Sequence, residues 1–419
     1  MSPKANARRL VVLGTEPAPQ PRYVVWELTL ACDQPCTHCG SRAGTARPSE
    51  LSTSKAVDVA RELGELGAQE VVLIGGEAYL HPGFLDVVGA LAKSGATPVM
   101  TTGGRGVTAE LARRMAAAGL RRASVSVDGL EAQHDRMRAA RGSFASALAA
   151  LQHLRDAGIG IAANTNLNRF NQGDLEPLYD TLRASGIRSW QVQLTAPLGR
   201  AADRPDMLLQ PYDLLDLVPR IAALKRRAHA DGILLLPGNN LGYFGPEEGL
   251  LRSQRPDDDD HFQGCQAGRF VMGIESNGAV KGCPSLQSAH YVGGSVQEQT
   301  LRSLWEDNET VGFARSRHRD RLWGYCAECP FAGVCMGGCT FTAHSFFGRP
   351  GNQPYCHHRA LVMKRRGLRE RLVPGAPAQG NPFDNGLFEL VTEPFDAPEP
   401  VAPALQDLVK LTRKARPAS

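Results

Sequence analysis

Between residues 23 and 236 the apolar and polar positions follow one repeating plan. A short β-branched run leads into a loop and then into an Ala/Leu-rich stretch with helical spacing. The strand-like runs are YVVWELTL (23–30), EVVLIGG (70–76), TPVMTTGG (97–104), RASVSVDG (122–129), GIAANTNL (160–167) and WQVQLTAP (190–197). Between them TSKAVDVARELGELG, GFLDVVGALAKSG, TAELARRMAAAGL and SFASALAALQHLRDAG repeat apolar residues every three to four positions. Several end on Gly, which accepts the left-handed turn that closes a helix. Six strand–helix units in succession predict parallel strands joined by right-handed crossovers. Six are too few for a closed eight-fold barrel, so the pattern predicts an α/β fold built on an open, partial (β/α)6 barrel of the TIM type. Chemistry in such folds gathers at the C-terminal ends of the strands.

The periodicity stops at residues 237–261, where Asp257 to Asp260 follow one another and repel, as in a solvated linker. A Cys-rich segment covers 262–372. Residues 373–419 are rich in Pro and predict a largely irregular extension with one amphipathic piece, ALQDLVKLTRK (404–414). Residues 1–22 are an N-terminal extension with basic residues but no long apolar core, so no signal peptide is expected. No stretch approaches about eighteen uninterrupted apolar residues, and nothing is expected to span a bilayer. A formal net charge of +4 gives no field that argues for nucleic acid or a membrane surface.

The ten cysteines change this picture. Cys32, Cys36 and Cys39 stand at the front; Cys265, Cys283, Cys326, Cys329, Cys335, Cys339 and Cys356 stand at the back; none falls between 40 and 264. Without a secretion signal the expected compartment is the reducing cytoplasm, where grouped cysteines hold metal rather than disulfides. A structural zinc wants four ligands. Three cysteines at x3 and x2 spacing fit a cubane iron–sulfur cluster held at three irons, with the fourth iron open. The back set, with its CAEC pair, is on its own also compatible with a zinc ribbon. The non-enzyme alternative is therefore a zinc-binding module.

With the strand-end residues added, the sequence resembles the radical S-adenosylmethionine superfamily, over about residues 23 to 372. Its signature is three cysteines at this spacing after the first barrel strand. LIGGEAYLHPGF supplies Gly75, Gly76 and Glu77, similar to the family's GGE motif for the amino group of the methionine moiety. Two glycines allow close backbone approach and a carboxylate faces an ammonium. SVSVDGLEAQHDRMR supplies Ser126, of a type that contacts the ribose, together with Asp128; Asn164 is a polar candidate at the fifth strand end. Arg141 is placed to pair with the methionine carboxylate. His38 stands where the family usually has an aromatic residue, and its ring can stack near adenine. TAPLGRA at the sixth strand end is similar to a stretch common in peptide-modifying members.

The back cysteines match the SPASM extension pattern, a small Cys-rich domain that holds two auxiliary clusters. By position the resemblance assigns Cys265, Cys283 and Cys339 to the first auxiliary cluster and Cys326, Cys329, Cys335 and Cys356 to the second. Seven thiolates leave one site of two cubanes open or held by a non-Cys ligand. The resemblance implies [4Fe-4S] clusters, one front and two auxiliary, with S-adenosyl-L-methionine as cofactor and Cys32, Cys36 and Cys39 as the catalytic set. It implies reductive cleavage to a 5′-deoxyadenosyl radical, which abstracts hydrogen from a ribosomally made peptide and leaves an oxidative modification or crosslink. The implied partners are a short precursor peptide, a ferredoxin or flavodoxin as reductant, and a separate leader-peptide-binding protein. The alternatives within enzymes are a sulfatase-maturase-like activity on a protein and modification of a tetrapyrrole haem precursor.

Overall fold

The computed structural model describes residues 17–255, 258–316 and 318–398. The six expected strands occur in order: β1 Tyr23–Thr29, β2 Glu70–Gly75, β3 Thr97–Thr102, β4 Arg122–Ser126, β5 Gly160–Leu167 and β6 Ser189–Leu194. Each pairs parallel with the next. The crossovers carry α1 Thr53–Glu65, α2 Phe84–Lys93, α3 Ala109–Ala118, α4 Glu131–Arg138, α5 Ser143–Asp156 and α6 Leu175–Ala184. After α7 Leu214–Ala230 a seventh parallel strand, β7 Leu234–Pro237, adds to β6. It is too short to carry a periodic signal.

The other edge is extended by the Cys-rich segment. Its β8 Val271–Ile274 pairs parallel with β1 and runs on into antiparallel β9 Ala279–Lys281 and β10 Val292–Ser295. One ten-stranded sheet results, in the order β10-β9-β8-β1-β2-β3-β4-β5-β6-β7, open between its two end strands. The back segment is thus continuous with the sheet that presents the front cysteines.

Strand alternation decides the two faces. Trp26, Leu28, Val71, Leu73 and Met100 lie in the main core with Leu63 and Phe84 of the helices. Their neighbours in sequence point the other way, where Val25, Val72 and Val99 form a small separate cluster. Further along on that face the residues turn polar, with Ser124, Ser126, Asn164 and Gln193 partly exposed. Parallel strands covered on both sides read as continuous apolar runs. These alternate because one face lines a chamber. Side-chain caps set the helix entries: Ser52 accepts from Lys55 N at 3.3 Å and Thr108 from Leu111 N at 3.1 Å.

The extension after residue 372 carries one regular element: β11 Leu368–Pro374 and β12 Phe388–Pro394 form an antiparallel hairpin over seven residue pairs, while 375–387 and 395–398 lie outside strands and helices. The hairpin residues FELVTEP alternate too weakly to stand out beside the prolines. The stretch after 236 is more than a solvated linker, because Leu241, Tyr243 and Leu251 are buried and Glu248–Arg252 forms a short helix, α8. Asp258 to Asp260 are exposed. Asp257, the piece at 404–414 and residues 1–16 lie outside the described residues. Among the described residues no helix is long and apolar enough to cross a membrane.

Candidate active site

The front cysteines occupy the loop that leaves the C-terminal end of β1. Cys32 and Cys36 both direct their thiols at the Gln34 carbonyl, at 3.4 and 3.9 Å. Ala43 N donates to Cys39 Sγ at 3.4 Å. From the β6 loop, Arg200 holds the cysteine loop by donating from Nε to Cys36 O at 2.7 Å and from its amide to Cys39 O at 2.9 Å. Burial pushes the Cys32 thiol up to about 12 and raises Cys36 as well, against the pull of Arg138. Such thiols ionise only when a cation joins them, which is how a metal cluster binds. Asp33 Oδ1, Gln34 Nε2 and His38 Nδ1 are buried beside them without a hydrogen-bond partner. The donor set and these open polar atoms fit a cluster with a polar ligand on it.

Gly75 ends β2, and Gly76 and Glu77 follow it over this loop. Gly76 N donates to Thr29 O at 2.7 Å and Glu77 N to Ala31 O at 2.8 Å. A Cβ on Gly76 would lie 2.0 Å from Ala31 O, and one on Gly75 2.2 Å from Thr29 O. The glycines are required here for approach to the cysteine loop itself, a different reason from the ligand contact expected. Glu77 is buried, accepting from Thr102 Oγ1 at 2.5 Å and Gly103 N at 2.7 Å. Burial pushes its carboxyl up to about 7. Ligand atoms of Cys32, Asp33 and Glu77 lie within 4.8 Å of one another. Asp33 escaped the sequence reading because a single acid beside a cysteine carries no signal.

Ser126 and Asn164 are register partners on β4 and β5, and Asn164 is in turn opposite Gln191 on β6. The three form one polar row on the chamber face. Gln191 was detectable as a polar residue alternating with Trp190 and Val192. His38 Nε2 is 3.2 Å from Asp128 Oδ2, and Arg138 Nη2 reaches the same oxygen at 2.5 Å. Burial would raise the Asp128 carboxyl, but Arg138 and then His38 hold it well below the usual carboxylate range. Arg141 is exposed and has no hydrogen bond or ion pair among the described residues. The left-handed Ala139 (φ 50°) ends α4 and turns the chain away, so the arginine that meets the front cysteines is Arg138.

The back cysteines gather in two groups, and all ten cysteines are free thiols. Burial, with Cys265 and Cys339 nearby, pushes Cys283 up to about 12. Cys335 is pushed up to about 12 by burial and by Cys326, with Cys329 adding to it. Cys356 is raised by burial, Cys335 and Cys326. Tyr243 sits between the groups: its hydroxyl accepts from Cys339 N at 3.2 Å, and its carbonyl lies 3.8 Å from Cys356 Sγ. No motif marked it.

Residues 26–182 match the model of the radical SAM superfamily, and residues 265–330 that of SPASM, described as an iron–sulfur cluster-binding domain. An AdoMet-dependent heme synthase of Nitratidesulfovibrio vulgaris is 26% identical over 384 residues, covering 86% of this chain and 98% of that protein. Mycofactocin maturase MftC of Mycobacterium tuberculosis is 28% identical over 364 residues, covering 83% and 86%. The fold is similar to that of Streptococcus suis SuiB bound to S-adenosylmethionine, with a TM-score of 0.63 at 17% identity over 77% of this chain and 73% of that one. It is also similar to anSMEcpe with bound AdoMet, with a TM-score of 0.62 at 16% identity over 81% and 94%. The iron–sulfur domain displaces the zinc-module alternative. Front thiols on a parallel α/β sheet, joined to a cysteine-rich cluster domain, make this chain an enzyme of the radical SAM superfamily with a C-terminal SPASM domain.

Proposed function

We propose that this chain is a peptide maturase carrying three cubane clusters: one on Cys32, Cys36 and Cys39, one on Cys265, Cys283 and Cys339, and one on Cys326, Cys329, Cys335 and Cys356. The observation that carries the cluster and cofactor part of the reading is the approach of Glu77 and Asp33 to Cys32, within 4.8 Å. Bound there, a cluster and S-adenosylmethionine supply the one-electron chemistry that takes hydrogen from an unactivated carbon.

The chain's own residues bind, orient and enclose. Glu77 receives the ammonium of the methionine moiety, and the proton held on its buried carboxyl leaves as that cation arrives. Ser126, Asn164 and Gln191 offer hydroxyl and amide groups to the ribose in one row. His38, oriented through Asp128, would offer its ring to the adenine. The enclosing walls keep water from the reacting carbon. Cys265, Cys283 and Cys339, and likewise Cys326, Cys329, Cys335 and Cys356, would hold auxiliary clusters that would supply one-electron acceptor chemistry, and the reductant would be a ferredoxin- or flavodoxin-type protein.

The peptide substrate is supported by the likeness to a maturase over 83% of the chain and by the shared fold with SuiB, solved bound to its precursor peptide SuiA. A haem-precursor tetrapyrrole is the second reading, favoured by a match spanning 98% of a heme synthase. Anaerobic co-expression with short peptides encoded beside the gene, read by mass spectrometry, separates the two. A loss of two hydrogens that vanishes in Cys32→Ala supports the peptide. Unchanged peptides, with a carboxylated tetrapyrrole losing mass instead, support the second reading.

A further inference from the structure

α4 docks its last turn on the front cysteine loop. Thr37 donates to Met137 O from its amide at 2.8 Å and from its hydroxyl at 3.0 Å. This places the next residue, Arg138, against the thiols: Nη1 lies 3.7 Å from Cys36 Sγ. The residue is almost wholly buried, at 9% exposure, and its Nε has no hydrogen-bond partner. Among the described residues it is the one cation hydrogen-bonded to a front thiol; Arg200 binds only carbonyls of the same loop. The other end of the guanidinium is tied to Asp128, which also meets His38 and accepts from Asn166 N at 2.8 Å.

We infer that Arg138 is a positioning residue that sets the reduction potential of the front cluster through Cys36, with Asp128 attenuating its charge. The inference rests on reading Cys32, Cys36 and Cys39 as cluster ligands. A hydrogen bond to a ligating sulfur, and a fixed buried cation beside it, favour the more negative, reduced form of a cluster and raise its potential. Asp128 opposes this by returning negative charge to the same guanidinium, without touching the thiol. The two side chains therefore have opposite effects. General damage to the site does not produce that signature.

The test is an EPR-monitored redox titration of the reconstituted full-length enzyme, with the front cluster identified as the signal that S-adenosylmethionine alters. Arg138→Met is expected to lower the ratio of reduced to oxidised front cluster about tenfold at fixed potential, a shift of about 59 mV for one electron. Arg138→Lys is expected to lie between it and the parent. Asp128→Asn shifts the midpoint the opposite way, and the auxiliary midpoints stay put. An unchanged front midpoint in Arg138→Met, or in Arg138→Lys if the Met variant loses iron, overturns the inference. So does an Asp128→Asn shift in the same direction as Arg138→Met. Weaker S-adenosylmethionine binding at an unaltered midpoint would make Arg138 a ligand of the cofactor instead. If the parent enzyme has no S-adenosylmethionine-sensitive signal, the cluster assignment itself fails, which is a separate outcome.

Discussion

Arg42 forms an ion pair with Asp384 at 3.0 Å, joining the turn after the front cysteines to a residue 342 positions later. The same guanidinium takes Asp203 at 2.6 Å. Around it Phe383 N donates to Gly40 O at 3.1 Å and Gly199 N to Asp384 O at 2.7 Å. The C-terminal extension is therefore strapped across the front loop. Arg42→Ala should lower stability by about 1–2 kcal/mol, since Asp384 is largely buried while Asp203 is half exposed and screened. A double-mutant cycle with Asp384→Ala in urea checks it. Additivity of the two changes would mean that the pair is not coupled.

Glu77 makes the cluster-free protein sensitive to pH. Its folded pKa lies above the unfolded value, so the native state binds more protons between them and stability falls as pH rises from 4.5 through about 7. The loss amounts to about 3 kcal/mol at the upper end. Glu77→Gln should flatten that slope. Denaturant midpoints of the apo protein at pH 5, 6 and 7.5 would measure it.

Gly76→Ala should be far more damaging than a surface Gly→Ala change. The added methyl carbon would meet backbone, Ala31 O at 2.0 Å, and backbone cannot rotate away. We expect a cost of about 3 kcal/mol or more, with reduced iron retention because the loop that moves carries Cys32. Thermal melts and iron content should fall together.

Gln191, unmarked in the sequence, shares the row of Ser126 and Asn164. Gln191→Ala should weaken S-adenosylmethionine binding about five- to tenfold, the equivalent of one hydrogen bond. Iron content should not change, since among the described residues the side chain has no hydrogen bond to a cysteine. Equilibrium binding to the reconstituted enzyme tests this, and unaltered affinity would remove Gln191 from the site.

Metal analysis addresses the cluster count. Three cubanes predict about twelve iron and twelve sulfide per chain. Replacing Cys32, Cys36 and Cys39 together by Ala should remove about four of each. An undiminished content would place the iron elsewhere.

Much of this molecule was written locally. The period of two in GIAANTNL and the period near 3.6 in TSKAVDVARELGELG are properties of neighbouring residues, so strands and helices were legible without the fold. The front cysteine spacing is local in the same sense: three thiols a few residues apart on one loop can share a cluster, and C-x3-C-x2-C declares that directly. Arg138 and Arg141 mark the limit. Both belong to one basic run, and which of them meets Cys36 depends on where α4 stops and how its last turn docks on Thr37.

The sequence by itself determined the parallel α/β plan, the three front thiols and the presence of a second cysteine-rich unit. These follow from short-range periodicity and spacing. Only the tertiary structure decided that β8 joins β1, that Tyr243 lies between the back groups, and that the extension returns to Arg42. Pairings between residues so far apart in the chain depend on which surfaces remain unburied once the core has formed, and no local pattern carries that information.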